Sequence, residues 1–285
     1  VAAVDLIEAH TDQASGKLVP HRPMYSVEKA LPWLLERFPT HETYARATLE
    51  EIYGDRLKAT KELTATWLES TLFLNRGDHF EAKPLPLEAQ LAPAFGLCVG
   101  DFDGDGHEDI FLSQNFFATQ PEVSRFDAGR GLWLRGDGHG NFTTVPGQES
   151  GVLVYGEQRG CALADYDADG RVDLVVTQNG AATMLFHNAG AKPGLRVRLV
   201  GPAGNPSGVG ATLRLVYGQR HGPAREIHAG SGYWSQDSAV QVLGLAEQPA
   251  AIWIRWPGGR GTTAEVTAGA REISVDTAAK ITVLK

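Results

Sequence analysis

The chain has 285 residues, 26 Lys plus Arg against 34 Asp plus Glu, and a formal net charge of −8, a length sufficient for a sizeable core and for two domains. The absence of a basic surplus argues against a nucleic-acid partner, and no apolar run approaches the ~18 residues that a membrane-crossing helix requires. No charged and apolar leader stands at Val1, so a secretory signal, if one exists, is expected to have been removed or to lie upstream.

Taken in order, the opening VAAVDL aligns with CVGDFD and ALADYD further along and reads as the degenerate start of an acidic loop. Ile7 replaces the second acid, so no metal is expected there. Residues 24 to 66 read as a helical insertion. SVEKALPWLLERF is broken by Pro32, whereas THETYARATLEEIYG is predicted as one helix with Thr40 as cap, an apolar face of Ala45, Leu49, Ile52 and Tyr53, and Gly54 as stop. This insertion is expected to cover sheets rather than to carry chemistry.

Next come TLFLNRGDHF at 71 to 80, GLWLRGDGHGNF at 131 to 142 and TMLFHNAG at 183 to 190, each an apolar strand running into a Gly/Asn turn. Between them the spacing DxDxDGxxD occurs twice, as DFDGDGHED at 101 to 109 and DYDADGRVD at 165 to 173. Carboxylates this close repel by roughly 4 kcal/mol per pair at ~4 Å, so the loops call for a divalent cation. A hard cation such as Ca2+ takes six to eight oxygens. In the first loop Asp101, Asp103 and Asp105 are expected to give one oxygen each, His107 its backbone carbonyl, and Asp109 a bidentate carboxylate. In the second the same roles fall to Asp165, Asp167, Asp169, the carbonyl of Arg171, and Asp173. Gly106 and Gly170 stand at the sharp turn. An EF-hand would need Glu at position twelve and flanking helices, but Leu112 and Val176 stand there, within the strand-like IFLSQN and LVVTQN. The eight aspartates account for the whole acidic surplus, and two bound calcium ions would halve the net charge.

The two loops start 64 residues apart, a period that suits β-propeller blades. Residues 1 to 190 hold about three such blades, fewer than the usual four to eight of a closed ring. The chain is therefore expected to be the C-terminal part of something longer, to be completed by another subunit, or to stack its sheets openly. After AGAKPG at 189 to 194 the pattern changes to short alternating segments, LRVRLV, GATLRLVYG, REIHA, AVQVLGL, AIWIRW, TAEVTA and REISV, which predict a small β-sandwich over 191 to 285. The fold class is thus mainly β: a partial propeller with a helical insertion, then a sandwich.

The repeats resemble FG-GAP or VCBS repeats, the calcium-loop blades of integrin-like propellers. The last portion resembles the ASPIC/UnbV domain through NPSGVGATLRL, REIHAGSGYWSQDS, VLGL and IWIRWPGGR in that order. Together, over most of residues 71 to 276, the chain resembles the cartilage acidic protein family and its bacterial relatives. The resemblance implies a calcium-stabilised, secreted, periplasmic or cell-surface protein of binding or adhesion type that recognises a glycan or another protein. Related propellers include lyases and carbon–carbon bond-forming catalysts, and the UnbV name comes from natural-product biosynthesis clusters. The alternatives are therefore a calcium-dependent lyase-like or tailoring enzyme, and an assembly subunit or fragment of a larger propeller. The non-enzymatic reading is favoured, because no GxSxG, Walker, HExxH or zinc-spaced Cys/His motif occurs.

Remaining features have plainer readings. RGD occurs at 76 to 78 and 135 to 137, each time in a turn, so turn chemistry explains both. Asn141, Phe142 and Thr143 form a sequon better read as turn residues. His107 and His139 are not expected to act as a catalytic pair. Tyr233, Trp234, Trp253 and Trp256 with Arg225, Arg255 and Arg260 offer a sugar-stacking platform, although strand aromatics more often fill a core. Cys98 and Cys161 fall on opposite faces of equivalent strands; they are expected as separate buried thiols, not a disulfide.

Overall fold

The computed structural model describes residues 6–121 and 123–285; residues 1–5 of the degenerate loop start at VAAVDL lie outside them. The chain divides after Leu68 into two compact units.

In the first unit β1 (Ala9–Thr11) and β2 (Leu18–Pro20) pair as an antiparallel hairpin. Four short helices follow, α1 (Met24–Glu28), α2 (Trp33–Arg37), α3 (His41–Ala45) and α4 (Leu49–Tyr53), and Met24, Leu34, Tyr44 and Ile52 form their core. Pro32 breaks the helical run as predicted and caps α2. The single helix expected over residues 40 to 53 is instead two. Thr40 caps α3, but Thr48 starts a second capping box: its hydroxyl accepts from Glu51 N at 3.2 Å while the Glu51 carboxylate accepts from Thr48 N at 2.8 Å. Those two bonds satisfy N–H groups that a continuous helix would have paired internally, so the chain restarts at little cost. Gly54, at φ +52°, ends α4 as expected.

Strands hold 35% of the chain and helices 12%, so sheets set the architecture of the second unit. β3 (Thr71–Asn75) and β4 (Phe80–Pro84) form a hairpin, closed by the first RGD turn. β5 (Ala94–Gly100), β6 (Asp109–Gln114), β7 (Leu132–Gly136) and β8 (Phe142–Val145) form an antiparallel meander. After the short α5 (Gly147–Ser150), β9 (Glu157–Ala164), β10 (Asp173–Asn179) and β11 (Ala181–Phe186) form another. Four sheets form a ring resembling a propeller.

Neighbouring sheets stack face to face, so the two cysteines, free and buried as expected, are not kept apart as strand alternation implied. Cys98 on β5 and Cys161 on β9 do belong to opposite faces of equivalent strands, but those are the faces that meet, and the two Sγ atoms lie 3.1 Å apart. Phe111, Leu163, Leu174 and Val176 pack around them.

The remaining strands are β12 (Leu195–Val200), β13 (Thr212–Tyr217), β14 (Arg220–His221), β15 (Arg225–Glu226), β16 (Gln241–Leu243), β17 (Ala251–Arg255), β18 (Gly261–Glu265), β19 (Glu272–Asp276) and β20 (Ile281–Val283). They form two sheets, β16-β12-β19-β20 and β14-β13-β17-β18 with β15 also paired to β13, whose inner faces share a core of Val197, Leu213, Ile252, Ile254, Ile273 and Val275. Each such side chain stabilises the sandwich by roughly 1.5–3 kcal/mol on burial. Trp256 joins this core and its indole donates to Thr262 Oγ1 at 2.9 Å, whereas Trp253 stacks on His221 and Trp234 is 94% exposed. The tryptophans therefore build no common platform.

Candidate metal centre

Both acidic loops connect the first two strands of a meander, β5 to β6 and β9 to β10. Their backbones turn identically at the sixth position, with Gly106 and Gly170 both at φ +91°. The fourth position is left-handed as well, at Gly104 (φ +74°) and Ala168 (φ +62°). These turns aim backbone N–H groups at the carboxylates. Asp101 accepts from Gly104 N at 2.7 Å, Asp105 N at 3.1 Å and Gly106 N at 2.8 Å; Asp165 accepts from Asp169 N at 3.1 Å and Gly170 N at 2.8 Å.

The last aspartate of each loop acts as a bridge. Asp109 accepts from Phe102 N at 2.9 Å and Gly136 N at 2.8 Å. Asp173 does the same with Tyr166 N at 3.1 Å and Asn188 N at 2.8 Å. Each thus ties its loop to the turn after the third strand of the sheet. That turn also supplies a basic side chain in the same column of the repeat: Arg135 Nε lies 2.7 Å from Asp103, and His187 Nε2 lies 3.1 Å from Asp167. The second RGD is therefore a structural part of the first loop, with its arginine and glycine both bound to loop acids.

Carboxylate oxygens of Asp101, Asp103 and Asp109 lie within 4.8 Å of one another, as do those of Asp165, Asp167 and Asp173. Asp105 turns an oxygen to His107 N at 2.8 Å, and Asp169 to Arg171 N at 2.9 Å; Asp169 also groups with Asp167 and His187. The Arg171 side chain pairs with Asp169 and donates to Ala191 O at 2.6 Å. All-oxygen sets at this separation fit a hard divalent cation. The electrostatics of the first loop fit one too. Burial, opposed by backbone hydrogen bonds, raises Asp101 to about 6 and Asp109 to about 7, and neither carboxylate has a cationic side-chain partner among the described residues. Buried anions without counter-charge are costly unless a proton or a metal joins them.

The sandwich grips both loops, a feature no local pattern reveals. A Cβ on Gly244, in the VLGL segment, would lie 1.5 Å from Asp101 Oδ2, so only glycine leaves room for that carboxylate. The Arg225 guanidinium binds Val99 O at 2.8 Å and pairs with Glu108. On the second loop, the buried Arg196 pairs with Asp165 and with Glu272 at 3.1 Å. Burial opposes the Glu272 charge, but the Arg196 and Arg198 partners outweigh it and hold its carboxyl below the usual range.

A cavity of about 440 Å³ lies between the loops. Phe102 and Asp103 line it from the first, Val172 from the second, and Trp133, Arg135, Phe186 and His187 are among the other wall residues. Phe102 and Trp133 meet edge to face at 6.0 Å, and Arg135 lies over the Trp133 ring at 5.5 Å. The buried Trp133 Nε1 has no hydrogen-bond partner among the described residues.

Fold and site define a class: a mainly β, propeller-like chain whose acidic loops abut a following sandwich. Residues 201–282 match the protein-family model described as ASPIC and UnbV, which spans the sandwich from the turn after β12 into β20. No curated protein matches the chain. No helix among the described residues is long and apolar enough to cross a membrane.

Proposed function

We propose that this protein is a calcium-ordered binding or adhesion module of the FG-GAP/VCBS type, akin to the cartilage acidic proteins, that works outside the cytoplasm on a glycan or protein surface. The observation that carries the reading is the repeated loop geometry, which gathers three carboxylates twice over. Asp101, Asp103, Asp105 and Asp109 with the His107 carbonyl would hold one ion, and Asp165, Asp167, Asp169 and Asp173 with the Arg171 carbonyl the other. Bound calcium would supply the positive charge that lets these acids stay ionised. Modules of this kind fill at about 10⁻⁴ to 10⁻³ M calcium, which suits an extracellular, periplasmic or surface location.

The chain's own residues do the recognising. The Phe102, Trp133 and Phe186 side chains give the cavity an apolar aromatic wall, while the paired Asp103 and Arg135 give it a polar edge, a combination suited to one or two sugar units. Because Asp103 and Val172 belong to the acidic loops, metal loading and the shape of this cavity are linked. The test is thermal melting in calcium and in chelator, with a glycan array read under the same two conditions. The reading expects a large fall in melting temperature on chelation, and glycan retention that needs calcium, survives without turnover and is lost in Trp133→Ala. An unchanged melting temperature would remove calcium from the account, and consumption of the bound glycan would favour the enzyme.

A further inference from the structure

Cys98 and Cys161 stand 63 residues apart in sequence on different sheets, both are 1% exposed, and their Sγ atoms are separated by 3.1 Å. The strands that carry them approach closely on either side. A Cβ on Gly96 would lie 2.7 Å from Arg159 O and 2.9 Å from Cys161 Sγ, and one on Gly100 would lie 2.9 Å from Leu163 Cδ1. The Gly96, Cys98 and Gly100 face of β5 is thus cut to the surface of β9, with the two sulfurs at its centre. A bond of ~2 Å requires about 1 Å of further approach, within reach of small side-chain rotations.

We propose that Cys98 and Cys161 form a disulfide that staples the β5 sheet to the β9 sheet when the chain folds in the presence of a disulfide oxidant. One cysteine thiolate attacks the oxidant R–S–S–R, giving a mixed disulfide and releasing RS⁻. The other thiolate attacks the cysteine sulfur of that mixed bond, closing Cys98 to Cys161 and releasing a second RS⁻. Two electrons pass to the oxidant, and the two cysteine protons end on two RSH molecules. The hydrogen bond to Cys161, together with burial, pushes the Cys98 thiol far above its ordinary range, so the packed pair is a poor nucleophile. The bond therefore closes before β9 seats on β5, and once closed it is shielded from outside thiols. It joins the two sheets that carry the acidic loops.

The test refolds the reduced full chain in calcium with mixed oxidised and reduced glutathione, then alkylates it in denaturant and measures intact mass and peptide linkage. The expected product is a monomer about 2 Da lighter than the reduced chain, with no alkylated cysteine and one cross-linked peptide pair containing Cys98 and Cys161. It should melt roughly 10 °C above the reduced form, and Cys98→Ala should abolish that difference. Two alkylated cysteines, or one glutathione on each, would overturn the proposal. So would a redox-dependent melting shift that persists in Cys98→Ala.

Discussion

The two acidic loops share spacing, left-handed turns and hydrogen bonds, yet differ in where their counter-charge comes from. The first buries Asp101 and Asp109 with only backbone N–H groups and the sandwich glycine Gly244 against them. Among the described residues the one side-chain cation on its aspartates, Arg135, sits on the more exposed Asp103, whereas the second loop has the buried Arg196 on Asp165 and Arg171 on Asp169. One motif written twice has become two sites. The first leaves its two most buried carboxylates without a side-chain cation among the described residues, whereas the second sets Arg196 against its buried Asp165. The lesson concerns the following domain as well: the sandwich takes part in both loops, by leaving room at one and by supplying charge at the other.

Arg196→Met should break this contrast most visibly. Removing one partner of a buried ion pair costs about 3–5 kcal/mol, here by stranding Asp165 and Glu272. If Arg196 is an internal counter-ion, the loss measured by chemical denaturation should be largest in chelator and partly recovered in saturating calcium. An equal loss in both would assign Arg196 to packing alone.

A second effect is pH dependence. Asp101 at about 6 and Asp109 at about 7 lie above the ordinary carboxylate range, so the folded, metal-free chain holds protons that the unfolded chain releases. Their contribution is fully present below the unfolded value near ~4 and is lost as pH rises through about 7. The melting temperature in chelator should fall over that interval, and saturating calcium should remove the fall. A flat profile in chelator would contradict the charge-starved description of the first loop.

The smallest expected effect lies in the backbone. Gly104 and Ala168 share a left-handed position, which costs a non-glycine residue about 1 kcal/mol. Ala168→Gly should raise stability in calcium by up to that amount, and Gly104→Ala should lower it by more, because the new Cβ would also lie 2.4 Å from Lys192 O. Denaturant midpoints of the two variants check the equivalence of the loops, and the same sign in both would refute it.

The loops themselves were legible because their aspartates lie within nine residues and period and residue type coincide. The basic side chain in the turn after the third strand was legible in principle too, since Arg135 and His187 occupy one column of the aligned repeats. Arg196 and Gly244 were not. Arg196 reaches Asp165 across 31 residues, and Gly244 matters only because another part of the chain presses a carboxylate against it. The same limit hid the closeness of the two buried cysteines: strand alternation gives the face a side chain takes, but not which face the next sheet covers. The split helix has a local cause, Thr48 with Glu51 three residues on, a capping signal inside an otherwise continuous apolar pattern.

The most direct test is to count calcium by equilibrium dialysis at ~1 mM free ion for the wild-type chain and for Asp101→Asn. Two ions per wild-type chain, and one for the variant with the tighter of the two lost, is the predicted result. A wild-type chain that retains no calcium, or a variant that binds as many ions as the wild type, would contradict it.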